Sequence, residues 1–330
     1  MLLICGTILS IASDLRNDAV SLMSKAILFG DKEQHGMPER AKMEYRDHRI
    51  PAKDGIKIFA RDFASHLGGI PIVCLPGLTR NHRDFTQLAE MITQSDAPRR
   101  VICIDLRGRG GSDRDPDPSH YNLMTEMEDV VTVLAALGVA KADFIGTSRG
   151  GLLLHFLACL HPDLIGKVVL NDVGPVLEKQ GLMRIKDYLS GNTSPECWED
   201  VPTHLKAVHG ASFPNLSPQE WEAMAVALYR DDNGKPVADF DPAIAAQIAG
   251  IDFDKPIPDL WSQFDALCQF PLLIVKGELS ELLSQQCCDM MMAKNPLARQ
   301  VTAPQQGHAP LLHIAPLAQA IMDFLNQDPV

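Results

Sequence analysis

The chain has no CxxC pair, no cysteine–histidine ladder at zinc spacing and no G-x-x-x-x-G-K-[ST] lysine, which argues against structural zinc sites and phosphate loops. It has no excess of positive charge: 42 acidic against 30 basic residues give a formal charge of −12, repelling phosphate backbones and anionic lipid at long range. Nucleic acid and membrane are therefore not expected partners, and no metal or other cofactor is expected. No apolar run approaches the ~18–20 residues of a membrane span. The N-terminal stretch MLLICGTILSIAS is too short, and it lacks the basic opening of a secretory signal. The eight cysteines include Cys74 in PIVCLP and Cys103 in RVICID, where a free thiol behaves as a small hydrophobe. A reducing compartment, the cytoplasm, is expected. With 46% apolar and 22% charged residues the composition is that of a globular chain, not a disordered one.

At 330 residues the chain suits two small domains or one large α/β domain with an insertion. Residues 1–40 read as a poorly ordered extension, and Met37 is an equally sensible start. From Lys42 the segments MEYRDHRI and IKIFARDF alternate as two half-buried strands around a Lys53-Asp54-Gly55 turn. PIVCL, VICID, DFIGT, KVVLND and LLIVKG then read as strands buried on both faces, with ARQVTAP a last strand-like run. Helical periods separate them, at Phe85–Ile92, Met124–Leu137, Leu152–Leu160 and Leu317–Leu325. This alternation predicts an α/β fold with a mostly parallel sheet and helices on both faces.

Between Asp172 and Leu272 no convincing strand is found. Residues 175–265 are expected to form a helical cap, and 41–174 with 266–330 the core. The cap carries 15 acidic and 7 basic residues and all three tryptophans, Trp198, Trp221 and Trp261. Ser217 with Glu220 three residues later reads as a helix N-cap. A cap with an apolar inner face could line a pocket, so the tryptophans are candidate pocket residues.

Gly146-Thr147-Ser148-Arg149-Gly150 fits G-x-S-x-G between an apolar strand and an apolar helix. A strained turn there exposes the serine hydroxyl, and small neighbours let strand and helix approach. Ser148 is the candidate nucleophile. Leu75-Pro76-Gly77-Leu78 follows a core strand and can aim the Leu78 N–H at a developing oxyanion, with the Arg149 N–H as second donor. The turn Asp105–Ser112, DLRGRGGS, reads as structural. His308, in Gln306-Gly307-His308-Ala309-Pro310, lies after the last strand and is the candidate base; His313 reads as helical and structural. Two acids compete. Asp172 ends a strand and is preferred; Glu281 follows the next strand but is also explained as a first-turn residue behind the N-cap Ser280. Arg80, Arg83 and Arg149 stand near the proposed site; one of them, Arg80 or Arg149 foremost, could bind a substrate carboxylate.

With LPGLTRN, DLRGRGGSD, GTSRGG, NDVGP, GELSELLS and GHAP in this order, the chain resembles the α/β-hydrolase superfamily from about Lys42 to Leu325, and in particular its capped bacterial serine hydrolases and esterases. The resemblance implies an eight-stranded, mostly parallel sheet, a cap after strand six and a cofactor-independent Ser–His–acid site. Most relatives carry the acid three residues past the glycine of GELS, where this chain has Ser280; some carry it where this chain has Asp172. The expected activity is hydrolysis of a small carboxylic ester or lactone through an acyl-enzyme. The alternatives are C–C bond hydrolysis or acyl transfer with the same residues, or a low-turnover ligand-binding relative.

Overall fold

The computed structural model describes residues 44–191 and 194–327. The expected extension, 1–40, lies outside them. Strands β1 (Tyr45–Pro51) and β2 (Lys57–Phe63) form the expected hairpin, pairing Tyr45 with Phe63 and Pro51 with Lys57. β2 runs antiparallel to β4 (Val101–Ile104), and from there the sheet is parallel, through β3 (Ile72–Leu75), β5 (Ala142–Thr147) and β6 (Ile165–Asn171). β9 (Leu272–Gly277) and β10 (Ala298–Ala303) complete an eight-stranded sheet in the order β1-β2-β4-β3-β5-β6-β9-β10, after a separate hairpin of β7 (Tyr229–Asp232) and β8 (Lys235–Ala238) outside it.

Both faces of this sheet are covered, which is why β3 and β4 are apolar at every position and the neighbouring strands β5, β6 and β9 are apolar through most of their length. Alternate residues turn to opposite faces. Val73, Leu75, Ile102, Ile104 and Phe144 pack with α2 (Leu123–Ala136) and α3 (Arg149–Leu160). Ile72, Cys74, Val101, Cys103 and Ile145 pack with α1 (Thr86–Thr93) and the C-terminal α10 (Leu317–Asn326). α10 buries Leu317, Ala318, Ile321, Phe324 and Leu325, one helical face. Each large side chain of this kind contributes about 1.5–3 kcal/mol when fully buried.

The insertion after β6 holds α4 (Lys179–Ser190), α5 (Val201–His209), α6 (Pro218–Leu228) and α7 (Pro242–Ala249). α6 opens on the expected capping box of Ser217 and Glu220. Three expectations need correction. The insertion contains strands after all: β7 (Tyr229–Asp232) and β8 (Lys235–Ala238) pair through Asn233-Gly234, both at positive φ, a turn chemistry visible in the sequence. α8 (Trp261–Leu267) packs on α3 with Phe264 and Leu267 fully buried, so the core resumes before residue 266. His313 stands in a turn, because the final helix begins only at Leu317, after Pro316. α9 (Gln285–Lys294) completes the helices between β9 and β10. Among the described residues no helix is long and apolar enough to cross a membrane.

Candidate active site

Ser148 sits between β5 and α3 at φ 49°, ψ −113°, a conformation unusual for a side-chain-bearing residue. The residues two positions to either side are glycines because nothing larger fits: a Cβ on Gly150 would lie 2.2 Å from the Leu75 carbonyl oxygen, and one on Gly146 2.7 Å from the Gly151 Cα. The turn lifts the Ser148 hydroxyl off the sheet edge, where His308 Nε2 stands 2.9 Å from Oγ.

His308 Nδ1 lies 2.8 Å from Asp172 Oδ2. Asp172 follows β6 at φ 54° and is fully buried. Its carboxylate also accepts from Gly277 N–H (2.8 Å) and from Ser280 Oγ–H (2.6 Å). With the carboxylate accepting, Nδ1 carries the imidazole proton and Nε2 is left as acceptor for the serine hydroxyl. Ser280, at the position where the family resemblance leads one to look for an acid, thus donates to Asp172. Glu281, the alternative acid, is turned to the insertion, paired with Arg184 at 3.0 Å and accepting from Gln180.

Of the two proposed oxyanion donors, Leu78 lines the cavity and Arg149 follows Ser148 directly in the chain. Among the described residues the Leu78 N–H has no backbone acceptor, and the Arg149 N–H, at the first residue of α3, has no intrahelical acceptor. Gly77 brings their loop against Ser148, its Cβ position 3.8 Å from the Ser148 Cβ.

The cavity above Ser148 and His308 encloses about 90 Å³. Its apolar wall includes Phe85, Ile185, Phe213, Met224 and Leu312; its polar groups include Arg80, Asp84, Tyr188 and His209. Arg80 is bound to Asp84 by two hydrogen bonds of 2.7 Å. Tyr188 leaves about a third of its surface exposed (36%), but its hydroxyl is buried near Arg80, and burial pushes its pKa up to about 12. Burial, reinforced by Arg80, His204 and Arg184, lowers His209 to about 4, so its ring is neutral. A second cavity of about 230 Å³, lined by Arg184, Ser212, Leu279 and Glu281, shares Ile185, Tyr188, His209 and His308 with the first.

Other candidates lie elsewhere. None of the three tryptophans lines the cavity. Trp221 is buried in the insertion's own core with Val201, Leu205 and Met224. Trp198 donates to Asp231 on the outside, and Trp261 packs beside Phe264 in the main core. The apolar inner wall is built from Ile185, Phe213 and Met224, which composition did not single out. Arg149 does not reach the cavity; its guanidinium donates to Glu126 (2.6 Å) and to the Tyr121 carbonyl. Arg83 donates to the Ala227 carbonyl and to Asp239 in the insertion. Asp54, Asp115 and His120 bring three ligand-type atoms together, but Arg107 Nη1 stands 2.9 and 2.5 Å from the two carboxylates and supplies the cation there.

Comparison with known proteins agrees with this architecture. The sequence profile of the alpha/beta hydrolase fold matches residues 70–313. The chain is 33% identical over 247 residues to the 3-hydroxybutyrate-oligomer hydrolase of Cupriavidus necator, covering 72% of this chain and 82% of that protein. It is 27% identical over 247 residues to esterase YbfF of Escherichia coli, covering 72% and 85%. An alpha/beta hydrolase from Novosphingobium aromaticivorans superimposes with a TM-score of 0.77 at 35% identity, covering 86% of this chain and 99% of that one. The glycine-bound serine elbow, the sheet order and these matches together place the chain in the α/β-hydrolase family.

Proposed function

We propose that this protein is a serine hydrolase that cleaves the carboxylic ester of small molecules, with short hydroxy-acid oligoesters as its preferred class. The observation that carries the reading is the hydrogen-bonded chain Ser148–His308–Asp172 at the floor of a cavity. Ser148 Oγ attacks the ester carbonyl while His308 Nε2 takes its proton. Asp172 holds the imidazole and stabilises the charge it gains. The Leu78 and Arg149 amides receive the oxyanion. His308 then gives its proton to the leaving alcohol, and water, activated by the same imidazole, releases the acid from Ser148.

The two cavities support an ester reaching to both sides of His308, the smaller one, above Ser148, taking the acyl unit. The Arg80–Asp84 pair, Tyr188 and neutral His209 offer donors and acceptors suited to a hydroxy-acid unit better than to a long alkyl chain. The relative that acts on 3-hydroxybutyrate oligomers is consistent with this. We take the insertion to act as the cap over the site, and the cytoplasm as the compartment, with seven free cysteines among the described residues. Fluorophosphonate labelling mapped to Ser148, together with release of monomer from 3-hydroxybutyrate dimers and trimers, tests the proposal. An unlabelled Ser148 rejects the serine mechanism. Labelling without oligoester turnover rejects only the substrate class.

A further inference from the structure

Behind the site, outside the cavity, lies a fully buried carboxylate that the mechanism above does not use. Glu126, on α2, has no exposed surface. Its two oxygens are divided between two arginines: Oε1 accepts from Arg109 Nη1 at 2.7 Å and Oε2 from Arg149 Nε at 2.6 Å. Each arginine leads to one of the two proposed oxyanion donors. Arg149 supplies one amide from its own backbone. Arg109 donates from Nε to the Leu78 carbonyl at 2.7 Å, fixing the residue whose N–H is the other. Arg109 is itself pinned by Nη1 to the Arg107 carbonyl, and Arg149 by Nη2 to the Tyr121 carbonyl at 3.0 Å. Burial alone would raise the Glu126 pKa, but the two guanidinium groups outweigh it and hold the carboxyl below its ordinary value.

We infer that Glu126 is a positioning residue for the oxyanion site: through Arg109 and Arg149 it sets the spacing of the Leu78 and Arg149 amides, which come from segments 71 residues apart in the chain. The arrangement has a physical rationale. An oxyanion site works when its donors are fixed before charge develops, and amides on a loop and on a helix end have no backbone bond to each other. A carboxylate held by two forked cations is a rigid brace between them. The inference rests on the serine-hydrolase reading.

Glu126→Gln, Arg149→Met and Arg149→Lys are compared with the wild type, with active sites titrated by fluorophosphonate so that rates refer to folded enzyme. In Glu126→Gln and Arg149→Met, kcat per titrated site should fall about 10- to 100-fold with KM nearly unchanged, a fraction of the loss on deleting an oxyanion donor. Affinity for an alkyl trifluoromethyl ketone, whose serine adduct carries an oxyanion, should fall in parallel. Arg149→Lys keeps a cation beside Glu126 and should recover most of the loss. If Glu126→Gln does not fold, the two Arg149 variants carry the same comparison. Unchanged kcat per site and ketone affinity, with only thermal stability or active fraction reduced, overturns the inference. A wild type that neither labels nor turns over ester overturns the underlying reading, and the inference with it.

Discussion

Ser148→Ala deletes a single oxygen at the elbow, so fold and stability should survive while ester turnover falls by about 10⁴-fold or more. Turnover assays with thermal melts check both halves. Asp172 and Glu281 invite a direct contrast. Asp172→Asn should cost far more turnover than Glu281→Gln, because Asp172 accepts from the imidazole while Glu281 pairs with Arg184. The reverse order, measured as kcat/KM, would reassign the acid. Ser148 and His308 were legible in the sequence because each follows a strand, and a parallel sheet gathers such loops at one edge; Asp172 was legible only as the preferred of two acids, because Glu281 follows a strand as well. Glu126 was not. In MTEMEDVVTVL it reads as one more acidic residue on a helix, and only tertiary packing brings arginines from 17 residues before it and 23 after it onto its carboxylate.

At the scale of elements, the meeting of β3, β5 and α3 is governed by glycine. Gly150→Ala drives a methyl into the Leu75 carbonyl and should cost about 1–3 kcal/mol as well as turnover, because the Arg149 amide must move with the helix. Gly68→Ala, with nothing within 4 Å of the added carbon, is the control and should stay within about 0.5 kcal/mol in denaturant melts. The strands and core helices were readable because burial on two faces or one leaves a distinct apolar period. The interior of the insertion was harder to read. Aromatic content marks that a small core exists but not which way its rings face, and the cavity wall fell to Ile185, Phe213 and Met224. Phe213→Ala and Met224→Ala should therefore shift the acyl-length preference across nitrophenyl esters from acetate to octanoate, whereas Trp198→Ala and Trp261→Ala should leave it unchanged.

For the molecule as a whole, His155 links stability to acidity. It is fully buried in α3; Nδ1 bonds the Gly151 carbonyl, Nε2 has no partner among the described residues, and burial lowers its pKa from 6.5 to about 4. The unfolded chain takes up this proton near pH 6.5 and the folded one only near pH 4. Stability should be complete above about pH 6.5 and fall as pH drops towards 4, by up to about 3 kcal/mol from this group. Urea melts at stepped pH should show that loss, and His155→Leu should flatten it.

The seam between insertion and core is made largely of main-chain acceptors. Asn81 and Arg83, from the loop after β3, both donate to the Ala227 carbonyl, and Gly307, beside His308, donates its N–H to the Ser212 carbonyl at 2.7 Å. A carbonyl is the same whatever side chain its residue carries. At these two sockets the residues of the roof can change their side chains and keep their fit to the floor of Ser148 and His308, whereas Asp239 and Arg184, which bind Arg83 and Glu281 through their own side chains, cannot. A graft that shifts the backbone at 212 or 227 would disturb that floor even if Ser148, His308 and Asp172 were all kept.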